Sequence, residues 1–270
     1  MDEVISIIVS FNPNIERLKK VISPISINDS KIVIVDNHSE NFPDLKSALG
    51  MVNVDYIELE QNVGISKALN IGIKYIKNHF NPEWILLLDQ DTIVSDDYPF
   101  YLIQHIKKGV KDFDKCYIIR GNSDLTKRKE SIIKFRTEIL SGNLVRSSVF
   151  DYIQFREDFF MDFVDTDFFR KVAHLKFLFF KDLSIGIDHS LGVKKNILGK
   201  EINYENSNRF YYMIRNSTIL FAEYPLDIKV IIAAYKNFLP IAVNEGFLKT
   251  CKILYKGIYS ALGYLIRRDS

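Results

Sequence analysis

The sequence is poor in cysteine: only Cys116 and Cys251 occur in 270 residues, far apart and without Cys-x-x-Cys spacing. That pattern offers neither a disulfide framework nor a cysteine zinc site, and it fits a reducing compartment. Net charge is nearly absent as well, at +2 from 36 Lys and Arg against 34 Asp and Glu. Overall charge therefore gives no reason to expect nucleic acid as a partner, and any basic surface must be local. No stretch approaches the ~20 apolar residues of a membrane-spanning helix. The opening Met1-Asp2-Glu3 is acidic where a secretory signal would be basic. The expectation is a cytoplasmic protein. Also missing is a glycine-rich phosphate loop: the first apolar run breaks into Ser10-Phe11-Asn12-Pro13-Asn14-Ile15, where a dinucleotide oxidoreductase would want Gly-x-Gly-x-x-Gly.

What is present is ordinary for a folded protein, with 47% hydrophobic and 26% charged residues, which excludes disorder as the main state. The length suits one large α/β domain or a domain with an appendage. Residues 4–9 read as a buried, β-branched strand and 31–35 as a second strand. Between them Asn14 can cap a helix, because Ile15, Leu18, Val21 and Ile22 share one helical face. Strand, helix, strand at this spacing is a βαβ unit. A third strand over 54–59 leads to a helix starting at Gly64, and a fourth spans 84–91. The first hundred residues thus predict four strands with helices between, a doubly wound nucleotide-binding half.

Beyond it the pattern predicts a helix over 96–115, a strand near 116–120 and a surface excursion over 126–134. Ser141-Gly142-Asn143 places a glycine at a strand edge, where a backbone can approach a ligand closely or simply turn. A strand is expected over 175–180 and a glycine-flanked turn over 184–189, which carries His189.

Three constellations carry chemistry. The apolar run from Trp84 ends on Asp89-Gln90-Asp91, two carboxylates at the rim of a buried sheet, which is either a solvated turn or the hard-oxygen half of a divalent-cation site. His189, following Asp188, could complete that site from across the fold. In the second, Asp162, Asp165 and Asp167 lie among phenylalanines that would raise a carboxyl's proton affinity. Asp165 reads equally as a helix cap or a general base. The third is Arg209, Tyr212, Arg215 and Asn216, which gather two guanidinium groups and a phenol on one helical side, suited to a diphosphate or to a solvated face. At the C-terminal end Phe247, Cys251, Leu254, Ile258, Leu262 and Leu265 form an apolar stripe opposite Lys249, Lys252 and Lys256. Such a helix can pack on its own domain or lie on anionic lipid.

Taken together, the motifs Ile7-Ile8-Val9-Ser10-Phe11-Asn12-Pro13, Val35-Asp36-Asn37, Asn62-Val63-Gly64, Asn70-Ile71-Gly72, Leu88-Asp89-Gln90-Asp91, Ser141-Gly142-Asn143, Phe163-Val164-Asp165, His189 and the Arg209–Asn216 segment resemble glycosyltransferase family 2, within it the rhamnosyltransferase-like branch. The resemblance implies an α/β, A-type glycosyltransferase fold: a Rossmann-like, mostly parallel sheet flanked by helices, with a helical C-terminal extension. Residues 1–120 would form the donor half, 121–220 the acceptor and catalytic half, and 221–270 the extension, a candidate for membrane contact. By the same resemblance Phe11, Asn12, Asp36, Asn62, Gly64, Lys67 and Asp89 would bind the nucleotide-sugar donor. Asp89 and Asp91, with His189 as candidate third ligand, would hold Mn²⁺ or Mg²⁺, and Asp165 would be the base.

Asp162, Arg209, Tyr212 and Arg215 would serve the acceptor or the diphosphate. Many family members carry Glu before the aspartate that aligns with Asp165, whereas this chain has Val164, which leaves Asp162 and Asp167 as rival bases. The expected reaction is inverting transfer of a sugar, rhamnose from dTDP-rhamnose on the branch's pattern, to a polyprenyl-diphosphate-linked glycan at the inner face of the plasma membrane. Other readings are another nucleotide sugar, a nucleotidyltransferase, or a nucleotide-sugar-binding scaffold without activity. The oligomeric state is not legible.

Overall fold

A computed structural model describes residues 4–27, 30–50, 53–123, 129–189, 193–197, 200–204, 206–225 and 227–269, with 189, 193–197, 200–204 and 269 described by backbone alone. The chain divides into two compact units. Met1–Glu157 with Asp165–Ser190 form the first, and Asp158–Val164 with Leu191–Ser270 form the second.

In the first unit the βα pattern is realised as read. Strands β1 (Val4–Ser10), β2 (Lys31–Asp36), β3 (Val54–Glu58) and β4 (Trp84–Asp89) alternate with helices α1 (Ile15–Ile25), α2 (Phe42–Ala48) and α3 (Ile65–His79). They pair in parallel in the order β3-β2-β1-β4. Every residue of β1 is buried, and β4 is buried up to Asp89, as an unalternating apolar run covered on both faces requires. Asn14 caps α1, its side chain accepting from the Arg17 amide at 2.9 Å. Gly72 lets α3 lie close on the sheet, since a Cβ there would come within 2.5 Å of Ile7 and 2.6 Å of Val35.

The second half of this unit departs from the predicted boundaries. Strand β5 (Thr92–Val94) follows β4 at once, and α4 (Tyr98–Gly109) ends six residues before 115, with a short 3-10 turn over Phe113–Lys115. Gly109 is where Ile132 packs, a Cβ there meeting its δ carbon at 2.5 Å. Ile132 belongs to β7 (Ile132–Lys134), so the expected surface excursion contains a strand, paired to β9 (Leu178–His189). β6 (Cys116–Asn122) precedes β7, and β8 (Asn143–Arg146) and α5 (Val164–His174) lie between β7 and β9 in sequence.

β8 is inserted between β4 and β6 and is antiparallel to both, so Ser141-Gly142-Asn143, at the start of β8, leads into the middle of the sheet. The expected strand over 175–180 begins at 178, and the expected turn over 184–189 is the continuation of β9. The reason is tertiary: past a register shift against β6, the strand finds a second partner in β5, Thr92 pairing with His189.

The second unit holds a hairpin, β10 (Val193–Ile197) and β11 (Lys200–Tyr204), and helices α6 (Ser207–Glu223), α7 (Ile228–Tyr235), α8 (Phe238–Glu245) and α9 (Phe247–Asp269). Its core gathers Phe210, Ile214, Ala234 and Ile241, with Phe163, Ile253, Leu254 and Ile258 packed against them. Cys116 and Cys251 are both free thiols, and burial pushes the pKa of Cys116 up to about 12. Among the described residues no helix is long and apolar enough to cross a membrane.

Candidate active site

The carboxyl ends of β1, β2 and β4 open on one rim, where ligands bind in sheets of this kind. Asp36, the last residue of β2, is fully buried. Its carboxylate accepts from the Ser10 hydroxyl at 2.9 Å, the Ser39 hydroxyl at 2.6 Å and the Ser39 amide at 2.7 Å. It therefore ties the ends of β1 and β2 together rather than pointing outward. Asn12, in a left-handed conformation at φ 45°, extends the tie: its amide donates to Ser39 Oγ and its side chain accepts from the Glu40 amide, each at 2.8 Å. Phe11 is left exposed at the surface.

Asn37 continues the network toward α3. Its side chain accepts from the Val63 amide at 2.8 Å and donates to Asn62 Oδ1 at 3.0 Å, and the same oxygen accepts from the Gly64 amide. Gly64 is the N-cap of α3 at φ 81°, and Lys67 lies exposed in the first turn. Phe11, Asn12, Asp36, Asn62 and Gly64 are thus set on one linked group of strand ends and loops, with Lys67 on the helix that follows. Asn37 joins this network although an asparagine after a strand reads as an ordinary turn former.

The acidic pair is held from three sides. Gln90 grips Phe11, accepting from its amide at 2.8 Å and donating to its carbonyl at 3.3 Å. The Asp89 amide donates to Ser141 Oγ at 2.8 Å, which in turn donates to Thr92 Oγ1 at 2.7 Å. Arg17 donates from Nε and Nη2 to the Asp91 carbonyl at 2.9 and 2.7 Å, and its guanidinium lies 3.6 Å from Asp188. Tyr98 fixes the Ser-Gly-Asn turn from beneath, donating to the Gly142 carbonyl at 2.7 Å and accepting from the Gly121 amide at 2.6 Å. Burial raises the pKa of its hydroxyl, so the proton it donates is retained.

Gly142 sits at φ +85° with Ile187 where a Cβ would be, so both conformation and space require glycine. Arg17, Gln90, Tyr98 and Ser141 carry no local signal for these roles; each acts over 44 to 79 residues of chain.

Two carboxylates with backbone oxygens nearby are the donor set hard divalent cations take. Among the described residues no three His, Cys, Asp or Glu side chains gather on one point. The backbone of His189 is in register with Thr92, next to Asp91, while its side chain lies outside the described residues.

Of the three candidate bases, Asp167 is buried and engaged by Lys171 at 2.7 Å and Arg156 at 3.7 Å. Asp162 forms a fork with Arg209, whose Nε donates at 3.0 and 3.1 Å and whose Nη2 lies at 2.9 Å. Asp165 is partly exposed in the first turn of α5, one oxygen accepting from the Thr166 amide at 2.7 Å. Asp167 and Asp162 are thus each paired with cationic side chains.

The face of α6 picked out by spacing does converge, and what it grips is the segment 158–162. Arg215 donates to the Asp158 carbonyl at 2.9 Å, Tyr212 stacks on Phe160 with centroids 5.0 Å apart, and Asn216 donates to the carbonyls of Met161 and Asp162 at 2.8 and 3.0 Å. Burial raises the Tyr212 phenol's pKa. Asp162 and Phe163 are both left-handed at φ 60°, a conformation costing about 1–3 kcal/mol per residue that persists only where surroundings enforce it. Arg209 and Asn216 supply that enforcement.

The pattern described as Glycosyl transferase family 2 matches residues 6–170. The chain is 28% identical over 247 residues to the dTDP-rhamnosyl transferase RfbF of Shigella flexneri, covering 80% of this chain and 79% of that protein. It is 31% identical over 129 residues to the poly-β-1,6-N-acetyl-D-glucosamine synthase of Staphylococcus epidermidis, which is 45% of this chain but only 28% of the synthase. Among solved structures, S. aureus TarS 1-349 in complex with UDP-GlcNAc matches 97% of this chain and 73% of its own at a TM-score of 0.56 and 14% identity. GalNAc-T7 with UDP, GalNAc and Mn²⁺ matches 87% of this chain and 54% of its own at a TM-score of 0.57 and 11% identity.

The fold is therefore the A-type glycosyltransferase fold, as the sequence motifs implied. Neither a nucleotidyltransferase nor an inactive scaffold is needed to account for the site: the chain belongs to glycosyltransferase family 2 and is a glycosyltransferase.

Proposed function

We propose that the chain transfers rhamnose from dTDP-rhamnose, with inversion, to a polyprenyl-diphosphate-linked glycan at the inner face of the plasma membrane, in cell-surface polysaccharide synthesis. The observation that carries the reading is the convergence, on one rim of the sheet, of the Asp36 loops, the Gly64 helix start and the Asp89-Gln90-Asp91 strand end. Similarity to a dTDP-rhamnosyl transferase over four-fifths of the chain supports the choice of sugar.

In this reading residues 1–120 form the donor half. Phe11 and Asn12 face the nucleoside, Asn62, Gly64 and Lys67 lie along it, and Asp36 acts by holding the loops that do the binding. Asp89 and Asp91, with His189 as candidate third ligand, would hold Mn²⁺ or Mg²⁺. Such an ion supplies charge neutralisation at the diphosphate, a Lewis-acid role.

Residues 121–220 form the acceptor half. Asp165 takes the proton from an acceptor hydroxyl as its oxygen bonds to the anomeric carbon. The bond from that carbon to the nucleoside diphosphate breaks on the opposite face, so one displacement inverts the stereochemistry. Arg209, Tyr212 and Arg215, with Asp162, support the reaction by fixing the segment that leads into Asp165.

The test is thermal denaturation with a panel of sugar nucleotides, with and without Mn²⁺, followed by NMR of the product's anomeric configuration. A preferred donor stabilises the fold through linkage, dTDP-rhamnose being expected to shift the midpoint most and only with the ion present. A larger shift with another sugar nucleotide would replace the donor, and a retained anomeric configuration would remove the single-displacement mechanism.

A further inference from the structure

The apolar stripe expected on α9, from Phe247 to Leu265, is only in part the face that packs. The positions turned into the second unit are Thr250, Gly257 and Ala261, with Leu254 and Ile258 beside them. Gly257 admits close contact with α6, a Cβ there meeting Ile214 at 2.9 Å. Phe247 and Leu262 lie outside this face, 62 and 50% exposed.

A second apolar stripe occupies the opposite side of the same helix. Leu248, Tyr255, Tyr259, Leu262 and Ile266 are 83, 67, 68, 50 and 71% exposed. At 100° per residue they fall within an arc of ~60° and run for ~27 Å along the axis. Tyr255 and Tyr259 stack on each other, centroids 6.0 Å apart. Lys252 and Lys256 border the stripe along one edge. The charges of α9 are Lys249, Lys252, Lys256, Arg267 and Arg268 against Asp269 alone.

We infer that this stripe is a docking surface for an anionic lipid bilayer, on which α9 lies flat. This deepens the reading that the chain works at a membrane by naming the surface and the lipid charge it needs. Side-by-side tyrosines suit the headgroup level, where a ring can be apolar on its faces and wet at its hydroxyl. Aliphatic residues at both ends of the stripe reach toward the acyl boundary, and bordering lysines meet lipid phosphates. A second copy of the chain fits less well. Pairing along this stripe would bring lysine-edged faces together, with no acid between Phe247 and Arg268 to meet them.

The test is co-sedimentation of the full chain with phosphatidylcholine vesicles, with and without phosphatidylglycerol, alongside analytical ultracentrifugation of the lipid-free protein. Binding is expected to the phosphatidylglycerol vesicles, weaker on phosphatidylcholine alone, and reduced by salt. The variants Tyr255→Ser/Tyr259→Ser and Lys252→Glu/Lys256→Glu should each lower partitioning by about tenfold or more. Because all four side chains are surface residues, circular dichroism and donor-induced stabilisation should stay as in the wild type.

No sedimentation with either vesicle, equal binding to both, or a stable dimer that the tyrosine variant dissociates would overturn the proposal. Failure of the sugar-transfer reading has a separate signature. Absence of any donor-induced stabilisation removes that reading and leaves the vesicle result standing.

Discussion

Two regions of the chain, one in each unit, are built by different means. On the donor side, Asp36, Asn37 and Asn62 are strand-end residues whose side chains bond to amides and hydroxyls of neighbouring loops, so the parallel sheet itself brings the partners within reach. The segment 158–162 belongs to the second unit. It is held by arginine and asparagine side chains of α6, 47 to 57 residues further on. One region is rigid because its scaffold is rigid; the other is shaped by a clamp and keeps two strained residues in place. The difference teaches where damage should appear. Loosening the first should cost stability and donor binding together, whereas loosening the second should cost turnover alone.

The largest effect is expected from Asp165→Asn. Loss of a general base should lower transfer by about 10²–10⁴-fold, while nucleotide-induced stabilisation is kept. Normal turnover in this variant would shift the role to another group.

Asp36→Ala removes an acceptor from three donors at a fully buried position. The unfolding free energy should fall by about 3 kcal/mol, with weaker donor-induced stabilisation. A denaturant titration showing no loss would mean the loops are held otherwise.

Arg209→Ala and Arg215→Ala should each lower kcat by about tenfold, ~1.4 kcal/mol, with the donor KM unchanged. A KM effect of the same size would instead put these arginines on the diphosphate and erase the contrast between the two regions.

Asn14→Ala, at the cap of α1, is the smallest and serves as the control. It should cost about 1 kcal/mol of stability, visible as a lower midpoint, and leave turnover unaltered.

Much of the parallel half of the sheet could be read directly from residue pattern. Unalternating runs at 4–9, 31–35 and 84–88 have one comfortable fate, strands covered on both faces, and the helical periodicity between them fixes parallel order. Asn14 as a cap and Gly64 as a helix start follow from local backbone chemistry. The boundaries that were misjudged share a cause. Residues 132–134 of the expected excursion and the expected turn over 184–189 are strands because β9 offers, or finds, a partner far away in sequence, and a partner of that kind leaves no local trace.

The same division runs through the site. Residue types and spacing by themselves determined the parallel half of the sheet, the acidic strand end, and the helix face that carries Arg209, Tyr212, Arg215 and Asn216. These depend on period and on short-range sterics. Tertiary structure alone decided that Asp36 turns inward, that Arg17, Gln90 and Tyr98 hold the acidic strand end, and that the arginines grip 158–162. It also decided which of two apolar stripes on α9 is packed. A helix with two such stripes is ambiguous in one dimension, and the ambiguity ends only when Gly257 meets Ile214 and leaves Tyr255 and Tyr259 outside.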